Sequence, residues 1–343
     1  MSKREMEMVK RTNKNVRLMI GLIVGIVLLL ASMLASVLFG LQSFGLRDLW
    51  QAYNQFDGSN EHLIITTTRV PRTLIAVMVG ASLAVAGTIM QVLTRNPLAS
   101  PSLFGINAGA SLFVVIALTL WSTTLTLSNL IWFAFAGAAV VACIVYLLGS
   151  SRENSLEPTR VALAGASIAA FATSMTSGMM LINKQSLEDA LFWMIGSVSG
   201  RSMAHFELVF PYIVVGLLGC VLLPKALNVM ALGDENARGL GVQLKYVQFL
   251  GVVVVILLAG SAVASAGPIA FVGLIVPHLC RAITGNDHRW LLPYCAVVGA
   301  LLLVTADTLS RFIITGKEIP VGIAMAIIGV PFLVAVARRR GRA

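Results

Sequence analysis

The sequence is dominated by apolar segments, most of them as long as a membrane-spanning helix, that alternate with short polar turns. These segments fall at about 18–41, 73–93, 103–121, 129–148, 161–182, 206–223, 246–266, 269–283, 291–306 and 319–337. Hydrophobic residues make up 57% of the 343 residues and charged residues only 12%, so a water-soluble domain could not cover its apolar surface. The pattern predicts an all-α integral membrane protein with about ten transmembrane helices.

Basic residues lie mainly on one side of the predicted bundle. Seven of the 25 lysines and arginines fall in the segments predicted to be outside, and the other eighteen fall inside. By the positive-inside rule, this bias predicts that both termini are cytoplasmic. Because the basic clusters adjoin apolar spans, the net charge of +10 does not indicate a nucleic-acid partner. We expect a basic tail at 1–17, a single transmembrane domain at 18–337 and a second basic tail at 338–343.

Motifs for catalysis, metal binding and nucleotide binding are missing from the sequence. The four cysteines, which include Cys143 and Cys220, show no CxxC spacing, and the four histidines form no HExxH motif. No GxxxxGK[ST] phosphate-binding loop occurs either. We therefore expect a protein without a cofactor or resident metal that is not itself an enzyme. Any ATP hydrolysis would take place in a separate subunit.

Two arginines, Arg69 and Arg72, lie at the predicted outer mouth of the second span. Guanidinium groups in this position suit the docking of acidic partners, because arginine pairs with carboxylates through two parallel hydrogen bonds. They also suit anchoring of the helix to lipid headgroups. These residues alone leave both interpretations open.

The inner loop at about 228–243 is too regular in pattern for a flexible linker. Apolar residues such as Met230 and Leu240 alternate with an acidic pair, and glycines lie where one short helix can end and another begin. The pattern predicts two short helices that either bind a groove on a partner protein or lie on the lipid surface.

Two stretches depart from the simple alternation of spans and turns. The outer segment at 183–202 contains Ser186 and Asp189 in a capping-box-like arrangement, which predicts a short interfacial helix with Phe192 and Trp193 at headgroup depth. The stretch at 266–270 contains a Gly-Pro pair, which predicts a break in the helical structure.

Several sequence blocks together closely resemble the FecCD family, over about residues 60 to 335. The blocks are Arg69-Val-Pro-Arg72, Gly80-Ala-Ser-Leu-Ala84, Asn96-Pro-Leu-Ala99, Leu103-Phe-Gly-Ile-Asn-Ala-Gly109, Phe192-Trp-Met-Ile-Gly196, the stretch from Leu232 to Gly241, the stretch from Gly267 to His278, and Asp287-His-Arg289. Members of this family are the permease subunits of ATP-driven importers for ferric siderophores, haem and vitamin B12.

The resemblance implies the fold of a type II ABC importer permease, similar to the vitamin B12 permease. It also implies a second permease subunit, identical or paralogous, with two ATP-binding subunits and an extracytoplasmic substrate-binding protein as partners in a bacterial cytoplasmic membrane. A ferric siderophore is the expected cargo, with haem and cobalamin as alternatives. An ATP-independent secondary transporter is the alternative from another class, and it would need intramembrane ionisable residues, which are scarce here.

The resemblance also carries residue roles onto this sequence. Arg69, Arg72 and Arg311 match outward arginines that meet glutamates of the binding protein. Residues of the inner loop match the coupling helices that contact the ATPase: Leu232, Gly233, Asp234, Glu235, Ala237, Arg238, Gly239, Leu240 and Gly241. Pro158 and Thr159 align with a cytoplasmic gate, although Pro158 departs from the hydroxyl residue expected there.

Overall fold

The structure is a computed structural model that describes residues 3–121, 126–150, 156–181, 184–314 and 318–340. Regular structure in these ranges is helical, apart from one bridge between Ser150 and Leu156. The helices are α1 (Lys3–Leu38), α2 (Leu46–Asn54), α3 (Asn60–Leu63), α4 (Val70–Leu93), α5 (Ile106–Trp121), α6 (Leu127–Gly149), α7 (Pro158–Met180), α8 (Lys184–Met194), α9 (Met203–Leu222), α10 (Pro224–Met230), α11 (Asp234–Gly239), α12 (Leu244–Val255), α13 (Ser261–Ala266), α14 (Val272–Thr284), α15 (His288–Ser310) and α16 (Val321–Arg340). Two π-helical turns, Ile64–Arg69 and Ile256–Gly260, precede α4 and α13, and a 3-10 turn, Pro101–Phe104, precedes α5.

Each of the ten predicted apolar segments corresponds to a helix, which is consistent with the expectation of about ten transmembrane helices. Seven helical stretches in the described residues are long and apolar enough to cross a membrane: Lys14–Leu38, Asn60–Leu93, Ser128–Gly149, Pro158–Met180, Met203–Leu222, Leu244–Ala266 and His288–Ser310. Three shorter apolar helices complete the set: Ile106–Trp121, Val272–Thr284 and Val321–Val336. Following the predicted orientation, we call the end of the bundle that holds Arg72 the outer end.

Helix α4 lies at the centre of the bundle because its glycines let two other helices approach its backbone. Gly80 lies against Gly299 of α15, and Gly87 lies against Gly273 of α14. A Cβ atom at Gly80 or Gly87 would overlap the carbonyl group of the facing glycine. In a membrane, such close backbone contacts supply the packing that lipid cannot replace. The helices α4, α14 and α15 therefore form the tightly packed core.

The predicted break near residue 266 is confirmed. Helix α13 ends at Ala266, Gly267 has a φ of 74°, and α14 begins at Val272. The outer segment that follows α8 packs onto this break, because the Ser197 amide donates a hydrogen bond to the Ala266 carbonyl over 2.7 Å. The break thus holds the segment between α8 and α9 in place at the outer end.

The prediction for Trp193 is wrong, whereas the short helix itself is present. Helix α8 begins at Lys184, and Phe192 is 64% exposed, as a residue at the lipid interface would be. Trp193 follows Phe192 on the helix and faces inward, so it is only 5% exposed. Its carbonyl group lies against Gly267. The indole belongs to the core of the bundle.

We expect Gly299→Ala to destabilise the bundle. The added methyl group would overlap the backbone carbonyl of Gly80, which cannot move aside as a flexible side chain could. Overpacking of this kind costs about 1–3 kcal/mol. The measurement is the thermal unfolding midpoint of the purified protein in detergent. Gly178→Ala is the matched control, because no atom lies within 4 Å of a Cβ at Gly178. Equal midpoints for the two variants would contradict the packing argument.

Candidate docking and coupling sites

Four charged residues form a connected group at the outer end, which we call the outer cluster: Arg72, Asp307, Arg311 and Glu318. Arg72 holds the Asp307 carboxylate with both sides of its fork, since Nε and Nη2 each donate over 2.9 Å. The Nη1 atom of Arg72 pairs with Glu318. Asp307 also accepts a 2.6 Å bond from Nη2 of Arg311. The cluster therefore joins α4, α15 and the segment before α16.

Arginine side chains also cap the outer end of α1. Arg311 Nη1 donates to the carbonyls of Ser36 (2.7 Å) and Phe39 (3.1 Å). Arg69 donates to the carbonyls of Phe39 (3.0 Å) and Gln42 (3.2 Å). The last carbonyls of a helix lack partners within the helix, and a positive charge near them is favourable. These contacts attach α1 to the outer cluster.

The three arginines expected to face a partner are buried in this structure. Arg69 is 5% exposed, Arg72 is 3% exposed and Arg311 is 1% exposed. The expectation of free, outward guanidinium groups is therefore not met. The physical reason is that buried guanidinium groups require hydrogen-bonding partners, and here carboxylates and helix-end carbonyls supply them. Their docking role stays a prediction.

Glu318 is the accessible member of the outer cluster, with 26% of its side chain exposed. Burial alone would raise the pKa of Glu318, but the Arg72 charge and hydrogen bonds from Arg72 and Ser199 outweigh burial and lower that pKa. Ser199 Oγ donates to Glu318 over 3.2 Å and lies 3.4 Å from Arg72 Nη1. Glu318 is thus an ionised, partly exposed carboxylate that occupies one side of the Arg72 fork.

At the inner end, the two short helices predicted for the loop are present as α10 and α11. Gly233, with a φ of 103°, separates them, and Gly241, with a φ of 78°, follows the second. These φ values lie in the region that favours glycine, which explains why glycines occupy both positions. The predicted loop structure is therefore confirmed.

The loop exposes most of the residues assigned to ATPase contact. Leu232 is 62% exposed and Leu240 is 66% exposed, which is unusual for large apolar side chains in a polar loop. Glu235, Arg238, Gly239 and Gly241 are also exposed, and Gly233 is half-buried. Ala237 is fully buried, so it supports the loop from within and does not present a side chain to a partner. The side chain of Asp234 lies outside the described part of the structure.

Asn228 attaches this loop to the start of α15. Its Nδ2 donates to Asp287 Oδ1 over 2.7 Å, and its Oδ1 accepts from the backbone amide of His288 over 2.8 Å. The Nδ1 atom of His288 lies 2.7 Å from the same oxygen. Burial raises the pKa of Asp287, but the bonds from Asn228 and the Arg289 amide and the Arg289 charge together lower it. The loop and α15 therefore meet through a compact set of polar contacts.

A cleft of about 540 Å³ opens beside the loop at the inner end. Its walls include Arg95, Leu232, Gly233 and Arg281. Arg95 has a φ of 48°, an uncommon conformation for a residue other than glycine. The cleft lies against the base of the loop, at Leu232 and Gly233.

The candidate gate residues lie at the start of α7. Pro158 occupies the first turn of the helix, where its missing amide hydrogen costs nothing. Thr159 is exposed, and its Oγ1 donates to Glu157 over 3.1 Å. No contact in the described residues distinguishes these two side chains as a constriction, so the gate stays a prediction.

Sequence reasoning missed several residues that the structure places at these sites. Glu318 and Asn228 carry no motif of their own, and their partners are distant in the sequence. The Asp307 and Arg311 pair could have been found, because a spacing of four residues brings oppositely charged side chains together on a helix. Among the described residues, no group of three or more potential metal ligands comes together.

Known proteins resemble this chain over nearly its whole length. Residues 28–339 match the FecCD transport family. The "Probable siderophore transport system permease protein YfiZ" of Bacillus subtilis (strain 168) is 47% identical over 303 residues, covering 88% of this chain and 91% of that protein. The ferric enterobactin transport system permease protein FepD of Escherichia coli (strain K12) is 38% identical over 306 residues, covering 89% of this chain and 91% of that protein.

The fold also matches a solved structure. A chain from an inward-facing conformation of a metal-chelate type ABC transporter superposes with a TM-score of 0.82 at 26% identity, covering 93% of this chain and 98% of that chain. The helix arrangement, the family match and the identities of the relatives agree with the sequence blocks described above. The chain belongs to the FecCD transport family.

Proposed function

We propose that this chain is the membrane-spanning permease subunit of an ATP-driven importer for ferric siderophores. The observation that carries the proposal is the match, over 88% of the chain, to a siderophore transport system permease protein. The superposition on a metal-chelate type ABC transporter supports it. In this proposal a second permease completes the path, two separate subunits hydrolyse ATP, and an extracytoplasmic binding protein delivers the cargo. Both termini are cytoplasmic in a bacterial cytoplasmic membrane.

The experiment is an uptake panel in cells that lack only this subunit. Labelled ferric siderophores, haem and cobalamin are supplied separately, and uptake is compared before and after the gene is restored. We expect restoration of ferric siderophore uptake, and only with an ATPase subunit that hydrolyses ATP. Restoration of haem or cobalamin uptake alone would reject the siderophore assignment. Uptake with an inactive ATPase would reject the ATP-driven class.

We further propose that α15 transmits motion from the inner loop to the outer end. Asn228 attaches the loop to the first residue of α15, and Asp307 near the other end of α15 binds Arg72 of α4. The distance along the helix from His288 to Asp307, 19 positions further on, is about 28 Å at ~1.5 Å per residue. A displacement of the loop by the ATPases therefore moves a rigid helix that reaches the outer cluster.

Asn228→Ala is expected to reduce transport more than ATP hydrolysis. The substitution removes the bonds to Asp287 and His288, so the loop would move without α15. The measurement is ATP consumed per siderophore imported in vesicles that contain the complete transporter, and we expect this ratio to rise several-fold. Asn54→Ala is the control, because the described hydrogen bond of its side chain, to the Trp50 carbonyl, lies within α2. An unchanged ratio in Asn228→Ala would contradict the α15 pathway.

We propose that docking at Arg72 proceeds by exchange of carboxylates. In the described state Glu318 occupies the Nη1 side of Arg72. A glutamate of the binding protein must replace Glu318, whose partial exposure makes it the member that can leave. Asp307 is 1% exposed and stays in place as the fixed counter-ion.

Glu318→Gln is therefore expected to strengthen docking of the binding protein, because the competing charge is removed. Asp307→Asn is expected to lower the unfolding midpoint instead, since it leaves two buried guanidinium groups without their carboxylate. Breaking a buried pair in this way costs about 3–5 kcal/mol. Docking is measured as the dissociation constant of the binding protein for the transporter in nanodiscs, and stability by thermal unfolding. Weaker docking of Glu318→Gln would contradict the exchange.

A further inference from the structure

One buried arginine at the outer end has no counter-ion among the described residues. Arg201 lies in the segment between α8 and α9 and is 9% exposed. Its Nε atom is fully buried without a hydrogen-bond partner. Among the residues that the structure describes, Arg201 forms neither an ion pair nor a hydrogen bond. This position was not singled out as a docking residue from the sequence.

The other described arginines at the outer end differ from Arg201. Arg47 is exposed on α2 and is hydrated there. Arg72 and Arg311 bind Asp307, and Arg69 binds backbone carbonyls. Among the described arginines of the outer segments, Arg201 is therefore the one that is buried without a hydrogen-bond or ion-pair partner.

The His205 side chain, which interacts electrostatically with Arg201, does not compensate this charge. His205, one helical turn along the chain, is 6% exposed, and its Nδ1 lies 2.7 Å from Ser202 Oγ. Its Nε2 is also buried without a partner, and an imidazole cannot neutralise a guanidinium group. Burial lowers the pKa of Arg201, but arginine stays charged in proteins.

The acidic residues of the outer segments are placed elsewhere. Asp307 and Glu318 belong to the outer cluster, and Asp57 pairs with His62. Asp48 accepts a hydrogen bond from the Gly45 amide, and the exposed acids, which form no described pair with Arg201, are Glu61, Glu188, Asp189 and Glu207. A buried cation without a counter-ion costs several kcal/mol of stability. The fold therefore retains at Arg201 a charge that its own acidic groups do not stabilise.

The surroundings of Arg201 are open to a partner at the outer end. Gly200 and Ser202 on either side are exposed, and no atom lies within 4 Å of a Cβ at Gly200. The same segment contributes Ser199, which contacts Arg72 and Glu318 of the outer cluster. Arg201 is thus two residues from the surface at which docking is proposed above.

We propose that Arg201 is a docking residue that binds a carboxylate of the substrate-binding protein. This inference rests on the proposed function. The partner's carboxylate supplies the counter-ion that Arg201 lacks, and the guanidinium fork can accept it with two parallel hydrogen bonds. At Arg72 the incoming carboxylate must displace Glu318, whereas Arg201 is paired with no described carboxylate of this chain. The contact with Arg201 therefore forms without breaking an existing ion pair. Burial of the Arg201 charge destabilises the fold, and this arginine is retained because docking requires it.

The test compares docking with stability in the complete transporter in nanodiscs. We expect Arg201→Gln and Arg201→Met to raise the dissociation constant of the binding protein by more than about tenfold. Arg47→Gln is the matched control, an exposed arginine at the same end, and we expect a change below about fivefold. We expect the unfolding midpoints of both Arg201 variants to equal or exceed that of the unmodified protein, because an unpaired buried charge is removed. Arg72→Gln should lower the midpoint, because it leaves Asp307 without one of its partners.

Two results would overturn the inference. Unchanged docking by the Arg201 variants would show that the partner does not bind this guanidinium. A lower unfolding midpoint would show that Arg201 has a stabilising partner within the transporter, whatever the effect on docking. If the binding protein does not bind the unmodified transporter at all, the proposed function fails first, and that outcome is distinguishable from both of these.

Discussion

The outer end of this protein depends on one buried carboxylate. Asp307 is 1% exposed, and two guanidinium groups, Arg72 and Arg311, bind its oxygens from different sides. Arg311 without Asp307, or Asp307 without the two arginines, would be an uncompensated charge in a weakly polar environment, which is strongly unfavourable. Because Arg311 also binds the last carbonyls of α1, the three helices α1, α4 and α15 can meet only in one relative position at this end. The ion pairs therefore determine the register of the bundle, whereas close glycine contacts determine its spacing.

Helix α15 connects this fixed point to the inner loop. At its inner end His288 binds Asn228, in its middle Gly299 touches Gly80, and near its outer end Asp307 binds Arg72. Since both polar contacts are strong and the glycine contact leaves no free space, α4 and α15 must move together. A permease driven by ATPases below and loaded from above requires such a connection between its two faces. In the coupling proposed above, α15 is that connection, and no Asp, Glu, Lys or Arg lies between Arg289 and Asp307.

The sequence predicted the features that depend on local pattern, and failed where distant residues meet. Hydropathy located all ten helical spans, and the glycines around 233 and 241 located α10 and α11, because a span or a helix end is encoded within a few neighbouring residues. The partners of Arg72 could not be found in this way, since Asp307 lies 235 positions away. An arginine at a helix mouth indicates that a charge is present but not what the charge meets. The burial of Trp193 and Ala237 likewise depends on which face of a short helix contacts the core.

The outer end combines two uses of arginine that are physically distinct. Arg72 and Arg311 are paired with the carboxylates of Asp307 and Glu318, so their charges stabilise the fold. Among the described residues, Arg69 donates to carbonyls and lies over the Phe44 ring, and Arg201 forms no hydrogen bond or ion pair, so neither charge is paired with a carboxylate. Uncompensated charge attracts an oppositely charged protein from a distance, and a buried arginine binds it tightly on contact. In the docking proposed above, the charge that the fold leaves unpaired attracts the acidic partner, and the paired arginines keep the shape of the surface that receives it.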